Sequence, residues 1–236
     1  MPRVAVVGGH GKVARHLHPQ LVRAGHTPVA LVRNEAYRPE LEDLGAEVRL
    51  LDIERSTAED FTRAFDGCRA VVFAAGAGPD GKVERKRTVD LEGSLKSIDG
   101  AKGARIRRFV QVSAMAVDDP VPADASPVWR AYIEAKREAD EALRASGLDW
   151  TIVRPGGLTD DPGQRRVVIG RDVPEGDLPR DDVAAVIVAV LENDGTISKQ
   201  WEVVQDGLTI VEAIALAMLT DAAPGAEWEG GTRRGS

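Results

Sequence analysis

Short apolar runs rich in valine, isoleucine and leucine alternate with longer stretches in which apolar residues recur every three or four positions. The runs read as buried strands and the helical period as segments packed against them. The pattern predicts strands over Arg3–Val7, Pro28–Arg33, Glu47–Leu51, Ala70–Ala74, Arg107–Ser113, Asp149–Arg154 and Gln200–Val204. Helices are expected over Lys12–Ala24, Ala36–Leu44, Thr57–Phe65, Val83–Lys102, Pro127–Ala145, Asp181–Leu191 and Ile210–Leu219. Steady alternation with right-handed crossovers implies an α/β fold, a doubly wound parallel sheet of about seven strands with helices on both faces. In such a sheet ligands bind at the carboxyl ends of the strands.

A single domain over 1–223 is expected, because 236 residues leave little room for a separate substrate domain. The stretch 159–179 carries Pro162, Gly163, Gly170, Pro174, Gly176 and Pro179. It reads as an irregular loop over the strand ends, either a lid on the substrate side or an idle surface excursion. Residues 224–236, with four glycines, are expected to form a flexible tail.

Composition narrows the field. A net charge of -7 and a pI near 5.2 speak against a nucleic-acid partner. Cys68 is the only cysteine and has no companion at ligand spacing, so neither an internal disulfide nor a metal site is expected, and the natural setting is a reducing cytoplasm. The apolar stretch Val183–Leu191 is too short to span a bilayer, and the chain opens on a strand instead of a basic leader. The expected partner is therefore a small molecule, with no membrane; the oligomeric state stays open.

The chemistry begins directly after the first strand. Gly9, Gly11 and Ala14 fit G-x-G-x-x-[G/A], while Gly8, Gly11 and Ala14 fit G-x-x-G-x-x-[G/A]. Small residues here let the chain turn tightly, let its N–H groups approach a pyrophosphate, and let the next helix pack closely on the strand. The helix N-terminus adds the positive end of its dipole. Lys12 offers a further cation, Val13 opens the helix, and His10 is expected to serve through its backbone. An NAD site of this kind places an acidic residue about 20 positions further on. Arg33 stands instead at the end of the second strand, where a guanidinium suits a 2′-phosphate, so NADP (NADPH) is expected before NAD. The alternative is that Arg33 merely ends a strand in solvent and Glu35 serves the ribose. Asp52 and Ile53 would flank the adenine, and Ala74, Ala75 and Gly76 would let the ribose approach.

Tyr132 and Lys136 form a Y-x-x-x-K pair on one face of a helix capped by Ser126 and opened by Pro127. A phenol ordinarily titrates near 10, so phenolate chemistry near neutrality needs an adjacent cation. Ser113, at the end of the fifth strand, is expected to hydrogen-bond a substrate carbonyl oxygen. Trp129 could border the substrate pocket, whereas Trp150 and Trp201 read as core. His16, His18 and His26 read as solvated or partly packed, and the run Arg85-Lys86-Arg87 as a solvated basic face.

Together these motifs resemble the short-chain dehydrogenase/reductase family, specifically its atypical NAD(P)H-binding branch, similar to NmrA-like and flavin/biliverdin-reductase-like proteins. The resemblance rests on Val6–Ala14, Leu31-Val32-Arg33, Leu51-Asp52-Ile53, Ala74-Ala75-Gly76, Val112-Ser113, Tyr132-x-x-x-Lys136, Val153–Thr159 and Pro179–Ala184. It implies a Rossmann-type domain in which Tyr132 donates a proton and Lys136 orients the nicotinamide ribose and tunes Tyr132. It also implies that Pro155, Gly156 and Gly157 line the nicotinamide pocket. Two departures stand out. Ala114 and Met115 follow Ser113 where relatives often carry another hydroxyl, and Gly93 lies where the larger family tends to place a structural asparagine. The leading expectation is an NADP-dependent oxidoreductase reducing a small carbonyl, quinone or flavin-like acceptor. An NADP(H)-binding redox sensor without turnover is the alternative, and a nucleotide-sugar epimerase or dehydratase the third reading.

Overall fold

The computed structural model describes residues 1–78 and 82–222, so the expected tail at 224–236 lies outside the described residues. The strands are β1 (Arg3–Val7), β2 (Thr27–Val32), β3 (Glu47–Leu50), β4 (Cys68–Phe73), β5 (Arg108–Val112), β6 (Asp149–Pro155), β7 (Gly157–Thr159), β8 (Arg166–Gly170), β9 (Asp177–Pro179), β10 (Lys199–Gln205) and β11 (Leu208–Thr209). The helices are α1 (Lys12–Arg23), α2 (Arg38–Asp43), α3 (Ala58–Ala64), α4 (Val83–Arg85), α5 (Glu92–Gly103), α6 (Pro127–Arg144), α7 (Arg180–Leu191) and α8 (Ile210–Ala222).

The seven expected strands form a parallel array, β3-β2-β1-β4-β5-β6-β10. Its order reverses between β1 and β4, which leaves a crevice at their carboxyl ends. Alternate residues of β1 serve opposite faces. Val4 and Val6 pack with α1, α7 and α8, whereas Ala5 and Val7 pack with Phe61 of α3, Ile98 of α5 and Leu143 of α6. Burial on both faces explains why these strands read as continuous apolar runs.

Two sequence expectations change. The segment 159–179 is not an irregular loop: β8 pairs antiparallel with β10, β11 continues beyond it, and β9 pairs with β7. Val167 and Ile169 are buried there, and the edge of β10 supplies ladder partners that a run so short cannot announce by periodicity. The expected helix over 83–102 is also interrupted, because Lys86–Leu91 is a π-helix between α4 and α5. Among the described residues no helix is long and apolar enough to cross a membrane.

The glycine turn is fixed by its neighbours. A Cβ on Gly8, whose φ is +80°, would lie 2.7 Å from the Cα of Ala75, and one on Gly9 would lie 2.8 Å from the Cα of Ala30. Beneath the turn, His18 is fully buried, contrary to the solvated or partly packed expectation, and its Nε2 donates to the Gly9 carbonyl at 2.7 Å. Burial holds the imidazole pKa below its ordinary value, against the opposing pull of that hydrogen bond. The unfolded chain therefore takes up this proton first as pH falls. The stabilisation is complete above the unfolded value near 6.5 and is lost progressively as pH falls from there through the lower folded-state value. Replacing His18 with glutamine is expected to flatten the stability slope between pH 7.5 and 5.5, by at most about 1.4 kcal/mol per pH unit. Denaturant midpoints at the two pH values check this; an unchanged slope would assign the pH dependence to other groups.

Candidate cofactor and active site

A cleft of about 690 Å³ follows the carboxyl ends of the strands from Arg33, past the glycine turn, to Tyr132. That volume lies within the range of small-ligand sites. Of the residues singled out in the sequence, Gly8, His10, Gly11, Lys12, Val13, Arg33, Asp52, Ile53, Ala74, Ala75, Gly76, Ser113, Tyr132 and Lys136 line it. Gly9 does not, and packs on β2 instead. Pro155, Gly156 and Gly157 do not line it either. Gly156 and Gly157 donate backbone hydrogen bonds to Val203 and Gly176, and a Cβ on Gly156 would lie 2.0 Å from the Gly176 carbonyl oxygen. Those glycines admit a neighbouring strand; Leu158 is the residue of this segment that reaches the cleft.

At the centre, α1 starts from Gly11 with no side-chain cap and no acidic residue in its first turn. Its leading N–H groups thus face the cleft without a side-chain acceptor, an arrangement suited to a pyrophosphate. Lys12 donates to Asp160 at 2.6 Å, and Arg180 donates to the other oxygen of that carboxylate at 2.6 Å.

At one end, the Arg33 side chain is 60% exposed and its Nη1 lies 3.9 Å from Glu54, leaving it able to reach a ligand. Glu35, the alternative ribose partner, is held by two hydrogen bonds from Arg38, which keep its carboxyl below the usual range, and it does not line the cleft. Glu54, distant from Arg33 in the sequence, brings a carboxylate to this strand end and also pairs with Arg85 at 3.5 Å. The His10 ring stacks flat on Tyr37 at 3.6 Å and bonds Glu40 at 2.9 Å, so its side chain forms part of the wall.

At the other end, α6 begins as its sequence dictates, with Ser126 accepting from the Trp129 N–H and Pro127 in the first turn. The spacing of four places Tyr132, Lys136 and Asp140 along one face. Lys136 is buried, and its Nζ lies 5.9 Å from the Tyr132 ring centroid, 3.2 Å from the Val112 carbonyl and 3.4 Å from Asp90 Oδ1. Burial disfavours the Lys136 ammonium, yet Asp90, Tyr132 and Asp140 more than offset it and raise its pKa. Burial pushes the Tyr132 phenol up as well, and the nearby ammonium does not reverse that shift. At neutral pH the pair is thus a neutral phenol beside a cation.

Asp90 and Lys86 were missed as site residues. Both are buried, four residues apart in the π-helix, and both line the cleft. Asp90 Oδ2 accepts from the Ala77 N–H at 3.0 Å, while Oδ1 makes no hydrogen bond. The available signal was the empty structural-asparagine position: a Cβ at Gly93 would lie 2.5 Å from Ile53, and the polar group stands three residues earlier. Lys86 is only 5% exposed, which corrects its assignment to a solvated basic face.

Behind the cleft lies a buried polar network. Ser113 donates to Asp140 at 2.8 Å, Gln111 Nε2 donates to the same carboxylate at 2.7 Å, and Ser94 donates to Gln111 at 2.6 Å. Arg154 bonds Asp140 through Nε and Nη2 at 3.0 and 2.8 Å and reaches Asp118 at 2.6 Å. Burial raises the Asp140 carboxyl, opposed by Arg154 and by the Gln111 and Ser113 hydrogen bonds. With its proton committed to Asp140, Ser113 presents lone pairs to the cleft; the sequence expectation had it donating to a substrate carbonyl.

A family model described as NAD(P)H-binding matches residues 8–194. The Bacillus subtilis protein named uncharacterized sugar epimerase YhfK is 34% identical over 213 residues, covering 90% of this chain and 98% of its own. A Bacillus halodurans structure, provisionally named an NAD-dependent epimerase/dehydratase, is 38% identical with a TM-score of 0.84, covering 92% of this chain and all of its own. A (4-alkanoyl-5-oxo-2,5-dihydrofuran-3-yl)methyl phosphate reductase of Streptomyces griseus is 29% identical, covering 85% of this chain and 67% of its own.

Proposed function

Because the chain belongs to the NAD(P)H-binding family, we propose that it is an NADP-dependent oxidoreductase reducing a small carbonyl, quinone or flavin-like acceptor. The observation that carries this reading is the half-buried Tyr132 beside the buried Lys136–Asp90 pair in the same cleft as the glycine turn. A protein that only senses a nucleotide has no use for a protonated phenol beside a compensated ammonium. That a relative is named a reductase supports the same direction of chemistry.

The residues present fit a bound dinucleotide: the uncapped start of α1 would hold the pyrophosphate, Arg33 the 2′-phosphate, and Lys136 with Asp90 the nicotinamide ribose. Bound NADPH supplies a hydride. Tyr132, kept protonated by its raised pKa, gives its proton to the acceptor oxygen, and Lys136 stabilises the phenolate left behind. Asp90 keeps Lys136 charged and in place. Ser113 accepts hydrogen bonds on the cleft side and does not polarise a carbonyl.

The choice of NADP over NAD rests on Arg33 being exposed at its end of the cleft while Glu35 is occupied by Arg38. Titration of NADPH and NADH against wild type and Arg33→Ala tests it. NADPH affinity is expected to fall about 10- to 100-fold, the value of one charge-assisted contact, with NADH nearly unchanged. Equal losses would make Arg33 structural. A carbonyl, quinone and flavin screen then separates enzyme from sensor, since tight NADPH binding without turnover of any acceptor would favour the sensor.

A further inference from the structure

We propose that the acceptor carries an anionic group, a carboxylate or another small oxyanion, and that Lys86 is the residue that binds it. The inference rests on the reductase reading for the word acceptor and on Lys86 alone for the anion. Lys86 Nζ donates to the Gly78 carbonyl at 2.5 Å and lies 5.8 Å from the Tyr132 ring centroid, so it stands where the proton donor stands. Among the described residues no carboxylate comes within ion-pair distance of it. An ammonium has three donors, and only one finds an acceptor here. A buried cation in this condition is destabilising unless something compensates it.

The neighbouring charges do not supply that compensation. Asp90 is turned to Lys136 and to the Ala77 N–H, so among the described residues the buried end of the cleft holds two ammonium groups against one carboxylate. An oxyanion on the acceptor balances the count and takes up the remaining donors. The π-helix makes the arrangement possible, because it brings Lys86 and Asp90 inward together at a point where a solvated helix face was expected. Such i→i+5 segments recur at functional sites. Trp129 does not line the cleft itself, but it is half exposed and lies 5.5 Å from Tyr132 between ring centroids, where it offers an apolar face to an acceptor body that extends past Tyr132.

The test compares 4-carboxybenzaldehyde with its neutral methyl ester as acceptors for the NADPH-loaded protein, and measures benzoate binding to that protein by calorimetry. Wild type is expected to favour the carboxylate in kcat/KM by about 10- to 100-fold, mainly through KM, as one charge-assisted contact allows. Lys86→Met should bring the ratio close to 1 and weaken benzoate by a similar factor with NADPH binding retained, whereas Lys86→Arg should keep the preference. Wild type favouring the ester, Lys86→Met retaining the preference, or Lys86→Met losing NADPH in place of benzoate would each overturn the proposal. Lys86-dependent benzoate binding without turnover of either aldehyde would uphold the anion site and defeat the reductase reading. Absence of both turnover and benzoate binding would overturn the two together.

Discussion

Tyr132→Phe is expected to slow NADPH-driven reduction of a carbonyl acceptor at least about 100-fold, in the range of a lost general acid, with little change in NADPH affinity. The substitution removes one oxygen from a half-buried ring that packs against Trp129 and lies near Lys86 and Lys136, so the shape of the cleft survives. Its loss should therefore fall on kcat and kcat/KM alike. The raised phenol pKa adds a second signature. Reduction by wild type should not decline on account of Tyr132 until pH passes the ordinary phenol value near 10, because the proton donor stays loaded below it. The reverse, oxidising direction needs the phenolate and should speed up with pH over the same range. Single-turnover measurements of both directions from pH 6 to 10 check this; a Phe variant as fast as wild type would place the proton source in solvent, as quinone or flavin acceptors permit.

What the sequence revealed and what it hid follow from the range of the interactions involved. The inner parallel strands were legible because they are buried on both faces, which concentrates apolar residues into unbroken runs, whereas the edge strand β3 buries only Val48. The turn at Gly8–Gly11 and the Tyr132–Lys136 spacing were legible because their geometry is local, set within one turn and one helix. The family resemblance alone implied Pro155, Gly156 and Gly157 as cofactor contacts, and here the group that approaches Gly156 is the backbone of Gly176. Lys86 and Asp90 were hidden by the π-helix, since the extra residue in its turn breaks the period on which a helical reading depends. No helical period could have marked Lys86 as buried, because its neighbours are the Gly78 carbonyl, in the loop before the helix, and the Tyr132 ring on α6.

The buried network around Asp140 sets the largest expected effect on stability. Arg154 is 5% exposed, and its two partners differ: Asp140 is fully buried, while the Asp118 side chain is 51% exposed. Removing the buried partner with Asp140→Ala leaves a guanidinium, the Gln111 amide and the Ser113 hydroxyl facing a vacancy. Breaking a buried pair from one side costs about 3–5 kcal/mol, because the surviving charge stays desolvated. For a chain of this size each kcal/mol moves Tm by roughly 2–4 °C, so a drop of about 6–20 °C is expected. Asp118→Ala removes only the solvent-screened partner and should cost about 1 kcal/mol or less. The contrast between the two variants in thermal unfolding is the decisive measurement. Equal, small losses would mean that water reaches Arg154 in the Asp140 variant and that the network does not stabilise the fold. The network also ties α6 to β5 and β6, so Asp140→Ala should loosen the placement of Lys136 and Tyr132, one and two turns away on the same helix. Residual turnover should then fall through kcat even at temperatures where the variant remains folded, whereas Asp118→Ala should leave kcat close to wild type.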